Sequence, residues 1–220
     1  MPVLRGHGTR YQDLAGVTAQ DWYDDAEAAL LDLSKEVDKV VVVGLSMGGL
    51  VALNLSMNHA DKVAGVATMA AALRFADPLS GATPLMAKVF KSWPSPEAIN
   101  DSGLKAANTN YARFTTDSFA SLYGYSKETE KRLSHVTVPV AVLQSKKDTV
   151  VAPVSANLIY RDISSKHREI HWFTKSGHEM GQDMEKDAVF ERLMGFVLKF
   201  RKPPVRRRTR KSTSTASKKA

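Results

Sequence analysis

Apolar positions along this chain alternate between two periods. Short continuous runs at 39–45, 63–69, 138–144 and 169–173 read as strands, the first of them buried. Between them the spacing lengthens. Thr18-Ala19-Gln20-Asp21 has the composition of a helix start, and Trp22, Ala26, Ala29, Leu30, Leu33 and Val37 then recur at helical intervals. Gly49 to Leu55 reads as a helix directly after the first strand, and a closing helix sets Val189, Leu193, Phe196, Val197 and Phe200 on one face. Strands that alternate with helices predict an α/β fold built on a mostly parallel sheet with flanking helices. From Ala71 to His135 the strand rhythm stops, and the segment is instead rich in large apolar residues, among them Leu79, Leu85, Met86, Val89, Phe90, Trp93, Tyr111, Phe114, Phe119, Leu122, Tyr123 and Tyr125.

The junction after the first strand is the most specific signal. Gly44-Leu45-Ser46-Met47-Gly48 is a G-x-S-x-G pattern placed between a strand and a helix, the context of a nucleophile elbow. A serine on so sharp a turn needs small residues two positions to either side, because strand and helix backbones approach closely there. Such a serine also needs a base and an acid that orients it. Asp148 lies just beyond the strand 138–144, and His178 lies in Ser176-Gly177-His178 just beyond the strand 169–173. Both therefore fall on loops at strand ends, where sheets of this kind bind ligands. Asp162 and Asp183 compete for the acid role, but Asp162 lies within an expected helix and Asp183 follows the histidine. His7, His59, His135, His167 and His171 compete for the base, yet only His178 lies late in the chain, at a strand end and behind a glycine.

From Gly6-His7-Gly8 through the elbow to Asp148 and Ser176-Gly177-His178, the chain resembles the bacterial carboxylesterase and monoacylglycerol-lipase branch of the α/β-hydrolases. Arg5-Gly6-His7-Gly8-Thr9, Asp21-Trp22-Tyr23 and Ser155-Ala156-Asn157-Leu158-Ile159-Tyr160 add to the resemblance. It implies an α/β-hydrolase fold with a small helical cap inserted at about 71–135, its apolar side chains suited to an acyl chain. It also implies a serine hydrolase that cleaves carboxylic esters through an acyl-enzyme on Ser46. His178 is then general base and acid, Asp148 its orienting group, and the Met47 backbone N–H an oxyanion donor, with no metal or cofactor. A carboxylate nucleophile, as in dehalogenases of this fold, is disfavoured by Ser46 itself. Hydrolysis of short peptides is the same-class alternative. In the family the oxyanion His-Gly follows an earlier strand, so His7 is expected to be a structural turn residue. Met1 to Leu4 are expected to form the strand before that turn, which would leave the sheet truncated at its N-terminal side and without the oxyanion loop. A catalytically impaired homologue that binds through its tail is the alternative from another class.

Composition changes the picture at one end only. Residues 199–220 hold ten Lys or Arg and no acidic residue, leaving 21 basic and 23 acidic residues in 1–198, so the net charge of +8 belongs to the tail. The stretch 202–220 is expected to be disordered, either as a solubilising extension or as a weak, nonspecific contact to nucleic acid or anionic lipid. Without interleaved aromatics it would not read bases. With 43% apolar residues over its 220 positions, the chain has enough to bury one core, placed in a single domain at 1–201. The absence of cysteine excludes disulfides and thiolate metal sites. No apolar run approaches the roughly 18 residues of a membrane span, and together these features lead to the expectation of a cytoplasmic protein.

Overall fold

The computed structural model describes residues 1–105 and 109–201. The elements run α1 (Ala19–Leu33), β1 (Val40–Leu45), α2 (Met47–Asn58), β2 (Val63–Met69), α3 (Thr83–Met86), β3 (Ser92–Pro94), β4 (Arg113–Thr115) and α4 (Thr116–Arg132). They continue with β5 (Val140–Ser145), α5 (Val154–Asp162), β6 (Arg168–Phe173) and α6 (Lys186–Leu198). β1, β2, β5 and β6 form one sheet in the order β1-β2-β5-β6, with every pairing parallel. All four strands therefore end on the same edge, and loops from that edge carry Ser46, Asp148 and His178.

The central strands β2 and β5 are covered on both faces, whereas Val43 of the edge strand β1 is 40% exposed. Along β5, Val140 and Val142 join a cluster with Leu50 and Leu53 of α2, while Ala141 and Leu143 join Val189, Leu193 and Phe196 of α6. The alternation is that of a strand whose successive side chains point to opposite faces. Helix α1 starts on a capping box in which Thr18 and Asp21 exchange backbone and side-chain hydrogen bonds. Trp22 and Leu30 are buried as the periodicity predicts, whereas Leu33 and Val37 are exposed, because the helix stops at Leu33 and the chain turns away toward β1.

Two further expectations are corrected. Met1 to Leu4 do not form a strand; Leu4 instead packs on the core and accepts the His7 N–H in the turn. The outer edge of β1 thus pairs with no strand among the described residues. The cap segment is not wholly helical either, since β3 and β4 pair as an antiparallel ribbon in which Trp93 lies opposite Phe114. The basic stretch 202–220 lies outside the described residues. Among those described, no helix is long and apolar enough to cross a membrane.

Among the glycines of the described residues, the closest backbone approach lies where β1 turns into α2. A Cβ on Gly44 would fall 2.0 Å from the Gly48 carbonyl oxygen and 2.6 Å from the Gly49 nitrogen. One on Gly49 would lie 2.7 Å from the Ala71 Cβ. At Gly48 it would meet nothing within 4 Å, so the crowding falls on Gly44 and Gly49 and not on the second glycine of the motif. Gly44→Ala is therefore expected to cost about 3 kcal/mol or more. Gly48→Ala, in the first turn of a helix, is expected to change stability by less than about 1 kcal/mol. Urea unfolding of the two variants checks both, and equal midpoints would show that the elbow relaxes around an added methyl.

Candidate active site

Ser46 holds φ 53° and ψ −117°, a conformation that costs a non-glycine residue about 1–3 kcal/mol. Three backbone hydrogen bonds hold it there. Its N–H donates to Met69 O at 2.8 Å, and its carbonyl accepts the N–H groups of Gly49 at 3.0 Å and Ala72 at 3.1 Å. The helix that follows is buried from Gly49 to Ser56, so its packing offsets the strain and fixes the turn between strand and helix. The Ser46 hydroxyl does not cap α2, which leaves the N–H groups of the first turn without that acceptor.

Asp148 and His178 are brought together. His178 Nδ1 lies 2.9 Å from Asp148 Oδ2, and both side chains are shut off from solvent, at 6% and 0% exposure. The carboxylate is held from all sides. Val150 and Val151 donate their N–H groups to Oδ1 at 2.9 and 2.8 Å, and Gln144 donates its side-chain amide to Oδ2 at 2.9 Å. A carboxylate so engaged fixes the ring orientation and directs a proton to Nδ1, leaving Nε2 as the basic nitrogen. No hydrogen bond joins Ser46 Oγ to His178 among the described residues.

The competing residues have other places. Asp162 pairs with Arg161 on the surface, and His59 Nε2 lies 2.6 Å from Glu27 on the far side of α2. His135 bonds the Arg132 carbonyl, and His171 faces Glu169. His7 sits in the N-terminal turn, its ring against Trp22 and Tyr111, with Tyr111 Oη donating to Gly6 O and accepting the Thr9 N–H.

Gln144 was invisible to sequence reasoning, as was Glu185, which accepts the N–H groups of Thr174, Lys175 and Ser176 in the loop before His178. Neither has a local signature, because the spacing of an amide or carboxylate from a loop it holds is set by tertiary folding. The cap segment lines an open pocket of about 330 Å³ between Phe75, Leu79, Met86, Trp93, Phe114 and Phe119. It reaches the Asp148 loop through Thr149 and Val150, but neither Ser46 nor His178 lines it. Of the other cap residues, Leu85, Val89 and Phe90 are exposed, while Tyr111, Leu122 and Tyr125 pack on the core.

A model of the serine aminopeptidase S33 family matches residues 4–185. The chain is 28% identical over 204 residues to a thermostable monoacylglycerol lipase of Bacillus sp. (strain H-257), covering 90% of this chain and 78% of that one. It is 23% identical over 218 residues to a carboxylesterase of Bacillus subtilis (strain 168), covering 90% and 80%. Among solved structures it resembles one from work on LipS and LipT, two metagenome-derived lipolytic enzymes, at 30% identity and a TM-score of 0.83 over 89% of this chain and 80% of that one.

Burial alone would raise the Glu185 pKa, but the three backbone donors outweigh it and hold the carboxyl below its ordinary value of 4.5. With the folded value depressed, the stabilisation is complete above pH 4.5 and is lost as pH falls through the folded value. Glu185→Gln should therefore be less stable than the parent by roughly 1 kcal/mol at neutral pH, with the gap closing toward acid. Urea midpoints across this range check the sign. A gap that widens in acid would show the carboxyl to be destabilised in the fold.

Proposed function

The chain belongs to the serine aminopeptidase S33 family of α/β-hydrolases, and on that footing we propose that it is a serine hydrolase of carboxylic esters with Ser46 as nucleophile. The observation that carries the reading is the strained Ser46 turn on the same sheet edge as a buried, hydrogen-bonded Asp148–His178 pair. The names of the lipase and carboxylesterase relatives support esters as the substrate class.

In the reaction, His178 Nε2 accepts the Ser46 hydroxyl proton as Oγ attacks the ester carbonyl. Asp148 stabilises the resulting imidazolium through Nδ1. The negative charge that develops on the carbonyl oxygen is met by the Met47 N–H at the start of α2, where the helix dipole also favours an anion. His178 then returns its proton to the departing alcohol, leaving an acyl-enzyme. Water hydrolyses it with the same histidine acting first as base and then as acid. The Ser46–His178 hydrogen bond closes when substrate binds, as is common for catalytic contacts that are loose in the free enzyme. The apolar cap pocket near the Asp148 loop suits an acyl or other apolar group.

The family's description favours one other reading, hydrolysis of an N-terminal peptide bond by the same three residues. Parallel assays with p-nitrophenyl butyrate and an aminoacyl p-nitroanilide separate the two, and the ester is expected to have the higher kcat/KM. Ser46→Ala should lower kcat/KM on the ester by at least about 10³-fold with its melting transition intact. An alanine variant that kept most of its activity would remove Ser46 as the nucleophile.

A further inference from the structure

Asp183 is fully buried and has no salt-bridge partner among the described residues. Its charge is instead met by four backbone N–H groups. Gly177 and Asn100 donate to Oδ2 at 2.6 and 2.7 Å, and Met184 and Asp101 donate to Oδ1 at 2.8 and 3.1 Å. Two of these donors belong to the loop around His178 and its return, and two to the segment 98–101 inside the cap insertion. One carboxylate thus joins stretches some eighty residues apart.

The join brackets His178 on both sides. Gly177, the residue before it, is held by Asp183 and lies so near the cap segment that a Cβ would fall 2.7 Å from Ala98 O. Glu179, the residue after it, donates its N–H to the same Ala98 carbonyl at 2.9 Å. Asn100 Nδ2 adds a bond to Lys175 O at 3.0 Å. With both neighbours anchored, the height of the imidazole above the sheet is set by where segment 98–101 lies. Asp183 has no hydrogen bond or ion pair to His178 or Ser46 among the described residues, so its effect on the reaction passes through the backbone it holds.

We propose that Asp183 is a positioning residue: by tying Gly177 to the cap segment 98–101 it sets the reach of His178 Nε2 toward Ser46. The inference rests on the hydrolase reading given above. A shift of about 1 Å in such a group costs on the order of a hundredfold in rate, and it would also disturb the His178 Nδ1 contact to Asp148, which sits on the separate loop after β5.

The test is Asp183→Asn in the full chain, which keeps the shape but turns an amide NH₂ toward two backbone N–H donors. The expected result is a kcat lower by about tenfold to a hundredfold, counted per active site titrated with a fluorophosphonate, with KM within about twofold. The downfield NMR signal of the His178 proton on Nδ1, identified by its loss in His178→Ala, should shift or broaden while the melt stays cooperative. A purely structural role would lower the number of titratable sites and leave kcat per site unchanged, and that result overturns the proposal. If Asp183→Asn does not fold, Asp183→Glu retains the charge while displacing the carboxylate. It should still lower kcat per site by about fivefold or more, and an unchanged kcat overturns the proposal. Parent protein without Ser46-dependent turnover would defeat the hydrolase reading, and the NMR arm would then decide the positioning of the loop on its own.

Discussion

Strand β1 and helix α2 meet so closely that no side chain larger than hydrogen fits at Gly44, whose missing Cβ would lie 2.0 Å from the Gly48 carbonyl. That contact makes the turn sharp enough to put Ser46 at a positive φ, and the buried packing of α2 on the sheet holds it there. The serine hydroxyl is left unused by the helix it precedes. Strain stored at such a point is tolerated only where the surroundings over-determine it. Here three backbone hydrogen bonds do so, one donated by Ser46 to Met69 and two accepted by Ser46 from Gly49 and Ala72.

The rest of the site is held by carboxylates that accept backbone N–H groups. Asp148 collects two from its own loop, Glu185 three from the approach to His178, and Asp183 four from two distant stretches. Loops at a sheet's edge have few backbone partners of their own, and a buried anion that gathers several N–H dipoles gives them fixed geometry. Glu185 and Asp183 are met by backbone dipoles alone, with no salt-bridge partner among the described residues, so they fix the loops around His178 without a cation there.

Much of this was legible in the sequence, for identifiable reasons. Apolar runs at β1, β2, β5 and β6 announced the strands of the sheet, and their ends fell within two residues of those observed. The G-x-S-x-G pattern between strand and helix marked Ser46, and Asp148 and His178 followed from loop position and order. The local consequences of packing were less readable. The crowding was expected at Gly44 and Gly48, but it falls on Gly44 and Gly49, because Gly49 is the residue that faces Ala71. Met1 to Leu4, expected as a strand from the resemblance, lie outside the sheet, and the β3–β4 ribbon was hidden in a stretch whose aromatics and prolines carry no clear period. In the sequence Asp183 stands only as a rival to Asp148 for the acid role. Its bonds to residues 82 and 83 positions away could not be read from its neighbours.

The account stands or falls on whether Ser46 is a nucleophile activated by His178. Incubation with a fluorophosphonate, followed by intact-mass measurement and peptide mapping, asks this directly. The account predicts a single adduct per chain, on the peptide that contains Ser46, formed far more slowly in His178→Ala. A folded protein that gives no adduct, or one that carries it on another residue, would contradict it.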